Sequence, residues 1–317
     1  MKTQFDVIVI GSFVMALTTR LPRMPHAGES LVADLLDVGP GGKGSNLAVA
    51  VARQGKQVGL VAKLGTDLFS SVAFDLWHKE GIDTAHVVQT QDEQTGVALV
   101  YLEPNGQNRI GVYPGANLAL AAAEVLAIEP YLSGAKVLAL QLEIADSAVL
   151  AAMQMAHRHN LTVLLNPAPA RSLSDEILRQ TDVLTPNENE SRVLLGLDVS
   201  DTGMGHADIG HAEVGRALLD KGPKIIIITL GEHGSLVVQR DAEPVHVPAY
   251  PVQAIDTVGA GDAFSGGLCV ALAEGRPLLE AVRWASVTAA LSVTHIGAIP
   301  GLPTRDQVDA RFRTWHQ

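Results

Sequence analysis

The segment 256–267, DTVGAGDAFSGG, holds the residues with the most chemical promise. Three small residues, Gly259, Ala260 and Gly261, lead into a predicted helix whose early turn carries Asp262 and Phe264. Free backbone N–H groups and the helix dipole at such a start form a site for anions. An aspartate there would repel an anion that merely binds. It has a purpose if its carboxylate takes a proton from an attacking hydroxyl while the N–H groups hold the charge of a transferring phosphoryl group. A lone acidic residue in a first helical turn is also accounted for by the dipole it complements. The length of the run, more than Asp262 by itself, carries the chemical reading.

Three further constellations accompany it. In 39–46, GPGGKGSN, the glycines let backbone approach a ligand without Cβ interference, and Asn46, just before the helical pattern 47–54, has an amide suited to sugar hydroxyls. This run lacks the GxxxxGK[ST] spacing of a Walker loop and is equally compatible with a Gly-rich turn and helix cap. In 185–190, TPNENE, Asn187 and Glu190 could order a hydrated Mg²⁺ near nucleotide phosphates, because Mg²⁺ prefers oxygen ligands and keeps several waters. Asn-x-x-Glu is also the pattern of a capping box. In 229–234, TLGEHG, glycines follow an apolar strand at the end where open α/β sheets bind ligands; they would admit an adenine nucleotide or simply turn a hairpin into 235–238. His206 and His211, in the turn-rich stretch 198–211, are five apart without a carboxylate or thiol partner, so a solvated loop is expected rather than a metal site.

Positioning such groups requires a framework, and the chain encodes one. Short β-branched runs at 5–10, 57–62, 136–141, 161–165, 183–185 and 224–229 alternate with helical patterns, the signature of βαβ units and a mainly parallel sheet. The run IIII at 225–228 has no polar face, so helices must cover that strand on both sides. Helices are expected near 213–221, 261–274 and 278–293. Two stretches break the alternation, 13–38 and 95–112, the second with Pro104-Asn105-Gly106 as its turn; they read as hairpins of a small accessory sheet.

The bulk properties exclude several classes. A formal net charge of −11 argues against a broad nucleic-acid surface, which needs clustered Lys and Arg. No apolar run approaches a membrane span, and the stretch at the N-terminus is too short for a signal peptide, so a cytoplasmic location without membrane partners is expected. Cys269, the single cysteine, lies between Leu268 and Val270 and reads as buried core, leaving no internal disulfide. A nicotinamide dehydrogenase is disfavoured because no GxGxxG follows the strand ending at Gly11.

Taken in order, the four segments resemble the ribokinase, or PfkB, family of carbohydrate kinases, and the resemblance runs from VIVIGS at 7–12 to GAIPGLP at 297–303. GGKGSN matches the family's sugar-binding motif and DTVGAGDAFSGG its second signature. QLE at 141–143 and NPAPA at 166–170 look closest to ribokinases proper. The resemblance implies an α/β/α three-layer sandwich with a mainly parallel central sheet, a single kinase domain over 1–317, and a β lid from about 13–38 and 95–112. It implies ATP-dependent phosphorylation of a primary hydroxyl of a small sugar, with ATP and Mg²⁺. Gly42, Lys43, Asn46 and Glu143 would line the sugar site. Asp262 would be the base, with Gly259, Ala260 and Gly261 as anion hole. Asn187, Glu190, Thr229, Gly231, Gly234, Gly261 and Ser286 would lie along the nucleotide, Glu190 reaching Mg²⁺ through water. A potassium-like ion would fall among Asp256, Val258, Ser292, His295, Gly297 and Gly301, and a homodimer would form through the lids.

Two departures from that pattern bear on function. Gly301 stands where ribokinases have a serine ligand, which leaves the monovalent-ion site one oxygen short. Val14 and Ala16 stand where ribokinases carry Asn and Asp to grip pentose hydroxyls, so ordinary ribose should bind poorly. A pentose or modified pentose is the expected substrate. Alternatives are a nucleoside kinase of the same family, for which the 4% aromatic content offers few stacking partners, and a catalytically silent sugar-binding protein.

Overall fold

The alternating pattern resolves into a central sheet in a computed structural model that describes residues 4–104, 107–197 and 210–315. Strands are numbered along the chain. The main sheet contains β1 (Val7–Ile10), β4 (Val58–Gly65), β5 (Asp83–Thr90), β8 (Val137–Leu140), β9 (Thr162–Leu165), β10 (Val183–Leu184), β11 (Ile225–Thr229), β12 (Ser235–Gln239) and β13 (Val245–Val247). Their order is β13-β12-β11-β10-β9-β8-β1-β4-β5, parallel from β11 to β5, with β12 and β13 added antiparallel at one edge. Val7 to Ile10 and Ile226 to Ile228 are wholly buried, as continuous apolar runs require when helices cover both faces. Two apolar clusters fill the two faces; Cys269 belongs to one of them, and burial pushes its thiol far above the ordinary range.

A second, separate sheet contains β2 (Val14–Arg20), β3 (Leu35–Gly41), β6 (Gly96–Leu102) and β7 (Asn108–Tyr113), in the order β3-β2-β6-β7. Both irregular stretches contribute to it, each as a hairpin, and the hairpins join through a parallel β2–β6 pairing. Asn105, Gly106 and the stretch 198–209 with His206 lie outside the described residues; His211 opens the helix His211–Asp220.

The helix expected from Leu47 begins four residues earlier, as Lys43–Arg53, so Asn46 sits inside its first turn instead of capping it. The reason is tertiary. The N-cap is Gly42 at φ 93°, with no side-chain cap of its own, and the Lys43 N–H is instead accepted by the Glu143 carboxylate at 2.9 Å. Gly44, unfavourable in a helix interior, is needed because a Cβ there would lie 2.4 Å from the Ser12 nitrogen. The helix of the second signature, Ala260–Ala273, starts at Gly259 in the left-handed region. Its far end is anchored where Glu274 meets Lys56, Arg276 and Arg305; burial would raise that carboxyl, but these three cations hold it down at about 2.

Candidate active site

The chain reverses its strand order between β1 and β8, and the segments leaving those strands meet at that point, the usual ligand position of an open α/β sheet. Ser12, after β1, donates its hydroxyl to Glu143, after β8. Glu143 therefore caps the Lys43–Arg53 helix with one oxygen, and its second oxygen has no hydrogen bond among the described residues. This brings the start of that helix against the start of the Ala260–Ala273 helix. The Asn46 Nδ2 donates to Asp262 Oδ2 at 2.8 Å, which fixes the carboxylate and leaves Oδ1 uncommitted.

Asp262 is 5% exposed. Burial is the main influence on it and pushes its carboxyl up to about 6, against the pull of Lys43 and the Asn46 hydrogen bond. Lys43 responds in kind: the Asp262 charge, ahead of Glu143 and Glu190, raises its ammonium pKa against the opposing effect of burial. Among the described residues, the Gly259, Gly261 and Asp262 N–H groups find no backbone acceptor, whereas Ala260 donates to the Thr257 carbonyl at 3.2 Å. The first turn thus offers unsatisfied donors beside a carboxylate poised near neutrality.

One cleft joins Lys43, Asn187, Glu190, Thr229 and the turn Gly259 to Asp262. Asn187 and Glu190 form the capping box that their spacing allows: Asn187 Oδ1 accepts from Glu190 N–H and Glu190 Oε2 accepts from Asn187 N–H, both at 2.8 Å. The box takes one carboxylate oxygen and leaves Oε1 free; burial raises the Glu190 carboxyl pKa, opposed by the Asn187 bond and Lys43. Asn187 also bridges Thr229, which aligns the ends of β10 and β11. The capping-box reading is therefore observed, and the box leaves the Glu190 Oε1 without a hydrogen bond among the described residues. Among the described residues no three His, Cys, Asp or Glu side chains gather as a metal cage. That donor set fits Mg²⁺ held chiefly by phosphate oxygens and water, with Glu190 the nearby carboxylate.

Other expected residues lie outside this cleft. Gly231, at φ 57°, has open space where a Cβ would stand. Gly234 has a packing explanation, since a Cβ there would lie 2.1 Å from the Val247 carbonyl oxygen. Ser286 is 7% exposed, in the helix Leu278–Ser292. At the proposed ion site, Asp256 accepts from Val258 N–H at 3.0 Å and Gly297 N–H at 2.8 Å, which joins its two loops directly. A Cβ on Gly301 would lie 2.3 Å from the Ser292 carbonyl oxygen, so this packing has no room for a serine-like ligand. Gly301 therefore adds no side-chain oxygen to that group of residues. The His295 ring pairs with Thr294.

Sequence reasoning gave no role to Ser12, Asn166, Thr185 or Thr257, of which the last three line the cleft. It also missed Gln141, 1% exposed with neither amide atom partnered among the described residues. Asn46 Oδ1 is likewise buried and unpartnered, as expected of an acceptor awaiting a hydroxyl.

Comparison with known proteins agrees with this geometry. The pattern of the pfkB family carbohydrate kinases matches residues 4–305. The chain is 36% identical over 299 residues to a ribokinase of Haemophilus influenzae, covering 94% of this chain and 95% of the relative. It is 36% identical over 303 residues to a deoxyribokinase of Salmonella typhi, covering 95% and 97%. Its structure is similar to that of Arabidopsis thaliana ribokinase complexed with ribose and ATP, with a TM-score of 0.87 at 27% identity, covering 98% of this chain and 99% of the other.

Proposed function

The chain belongs to the pfkB family of carbohydrate kinases and is an ATP-dependent sugar kinase, and on that premise we propose that it phosphorylates the primary hydroxyl of a pentose short of hydroxyls on the side facing the small sheet. One observation carries this reading. Val14 pairs with Gly41 and Gly96, and Ala16 pairs with Gly39 and Ala98. No directly paired neighbour restores the hydrogen-bonding groups that Val14 and Ala16 lack, and cross-strand partners are the ones close enough to do so. 2-Deoxy-D-ribose is the simplest sugar of this class. Ribokinase and deoxyribokinase relatives at equal identity do not decide between them. An ADP-release screen over pentoses, deoxypentoses, ketohexoses, branched sugars and nucleosides tests the reading, with 2-deoxy-D-ribose expected ahead of D-ribose in kcat/KM. The reverse order overturns it.

In the proposed mechanism the small sheet is a lid over the sugar. Asn46 Oδ1 and the free oxygen of Glu143 accept from sugar hydroxyls, and Asp262 Oδ1 takes the proton of the primary hydroxyl as its oxygen attacks the γ-phosphate in line, breaking the bond to the β–γ bridging oxygen so that ADP leaves. The free N–H groups of the Gly259 turn stabilise the charge on the transferring group, the term that dominates phosphoryl transfer. Lys43, whose protonated form the Asp262 charge favours, adds positive charge. Glu190 would hold Mg²⁺ through water, and the ion would supply neutralisation of phosphate charge. No step runs through a monovalent ion.

The base assignment has a pH signature. Protonated Asp262 cannot accept a proton, so log(kcat/KM) for the sugar is expected to climb with unit slope below about pH 6 and to level above it. A profile flat down to pH 5 would exclude Asp262 as the titrating base.

A nucleoside acceptor is less well supported. Phe264, the one aromatic residue lining the cleft among the described residues, is 5% exposed and offers little stacking face. For quaternary structure we propose a homodimer joined through the small sheets. Leu36, Val38, Leu99, Ile110 and Val112 on that sheet are 43 to 73% exposed, an apolar area that a second copy would cover.

A further inference from the structure

The chain crosses between main body and small sheet in four places, and all four meet around Phe13. It leaves β1 through Phe13 into β2. It returns from β3 through Gly42, where a Cβ would lie 2.7 Å from the Phe13 Cα. It enters β6 at Gly96, where a Cβ would lie 3.0 Å from the Phe13 carbonyl oxygen, and it leaves β7 through Pro114 toward Asn117.

The Asn117 side chain, 1% exposed, sits at the centre of these crossings. Its Oδ1 accepts from Phe13 N–H at 3.0 Å, and its Nδ2 donates to the carbonyls of Phe13 and Pro114, each at 2.8 Å. A Cβ on Gly96 would lie 2.5 Å from that same Nδ2. A single carboxamide therefore bonds the first and last crossings and packs against a third, and both its acceptor and its donors are used. The Phe13 ring in turn meets Trp77 edge-on at 5.6 Å between centroids, which ties the assembly to the core.

We infer that Asn117 is a positioning residue for the transfer reaction: it locks the four crossings into one hinge, so that the small sheet closes over the sugar as a unit and keeps water out. The inference rests on the sugar-kinase reading above. Val14 directly follows Phe13, and Lys43 directly follows Gly42, so a loosened hinge displaces a residue that flanks the sugar and the cation beside Asp262, while Asn187, Glu190 and Thr229, which belong to other segments, stay in place. Incomplete closure also exposes the transferring phosphoryl group to water, which then competes with the sugar as acceptor.

Asn117→Ala and the full-length wild-type protein are compared with 2-deoxy-D-ribose and D-ribose as probes. Expected are a sugar KM raised at least about tenfold, an ATP KM within about twofold, and a ratio of ADP released to sugar phosphate formed that rises above one as ATP is lost to water. The control is Gln54→Ala, which removes an equally buried amide that accepts from Trp284 Nε1 at 2.6 Å, away from the hinge. A generic loss of stability would move both variants alike, and that outcome overturns the proposal, as does an unchanged sugar KM with a ratio of one. Should the alanine variant not fold, Asn117→Asp, of the same size but without the two donors, is read by the same criteria. Hydrogen exchange needs no sugar: amides of β2 and β6 should exchange faster in the variant while those of β8 and β11 do not. If the wild type turns over no sugar, the acceptor reading fails, and equal exchange in variant and wild type still overturns the hinge on its own.

Discussion

Asp262→Asn is expected to lower kcat by about 10²- to 10⁴-fold, the usual contribution of a positioned general base, while ATP binding and the fold survive. Asparagine keeps the shape of the side chain and an oxygen for Asn46 Nδ2, but it cannot accept the proton of the attacking hydroxyl. The stability of the variant follows from the same burial that poises the base. The Asp262 carboxyl rises from 3.8 to about 6, so the ionised form is disfavoured in the folded state. That cost is absent below about pH 3.8, grows as pH rises, and is complete above about pH 6, where it amounts to roughly 3 kcal/mol. Asparagine removes it but also takes from Lys43 its strongest counter-charge. With the two effects opposed, Tm at pH 8 should stay within a few degrees of wild type. Loss of turnover with an intact melt and an unchanged ATP Kd identifies the base; turnover near wild type rejects Asp262 in that role.

Most of the framework was legible because it depends on local pattern. The IIII run and its neighbours became strands within one or two residues of their predicted ends, and the second signature became a helix one residue from its predicted start. What local pattern concealed was set by distant partners. The Lys43 helix starts four residues early because Glu143, a hundred residues away, caps it, and nothing within GPGGKGSN announces that partner. The parallel β2–β6 pairing joins two hairpins far apart in sequence, and each alone reads only as a hairpin.

The candidate site was legible to the extent that its motifs are continuous. Asp262, Lys43, Asn187, Glu190 and Thr229 converge on one cleft from four segments. Gly234 marks the opposite case: a glycine required by the nearby Val247 carbonyl looks the same in sequence as one required by a ligand. Asn117, within the Gly-Ala-Asn turn after β7, gave no signal beyond that of an ordinary turn residue. Its function depends on Phe13, which is 104 residues away.

The pair Val14→Asn and Ala16→Asp should convert the acceptor preference, raising kcat/KM for D-ribose at least about tenfold, because each hydrogen bond to a charged group is worth about 1.5–3 kcal/mol and 1.4 kcal/mol is tenfold. The gain should appear chiefly as a lower ribose KM, since the new groups grip hydroxyls remote from the one that reacts. The sheet can accept the changes: the residues paired with Val14 are glycines, and those paired with Ala16 are Gly39 and Ala98, so the larger polar side chains meet little bulk across the strands. Ala16 is also only partly buried, which limits the desolvation cost of a carboxylate there. The same carboxylate, unpaired when a deoxypentose binds, should lower the preference for that substrate and so widen the change in the ratio of the two. A folded double variant with no gain on D-ribose would mean that the two strand positions do not set the acceptor, and that selectivity resides beyond them, around Glu143 and the unpartnered Gln141.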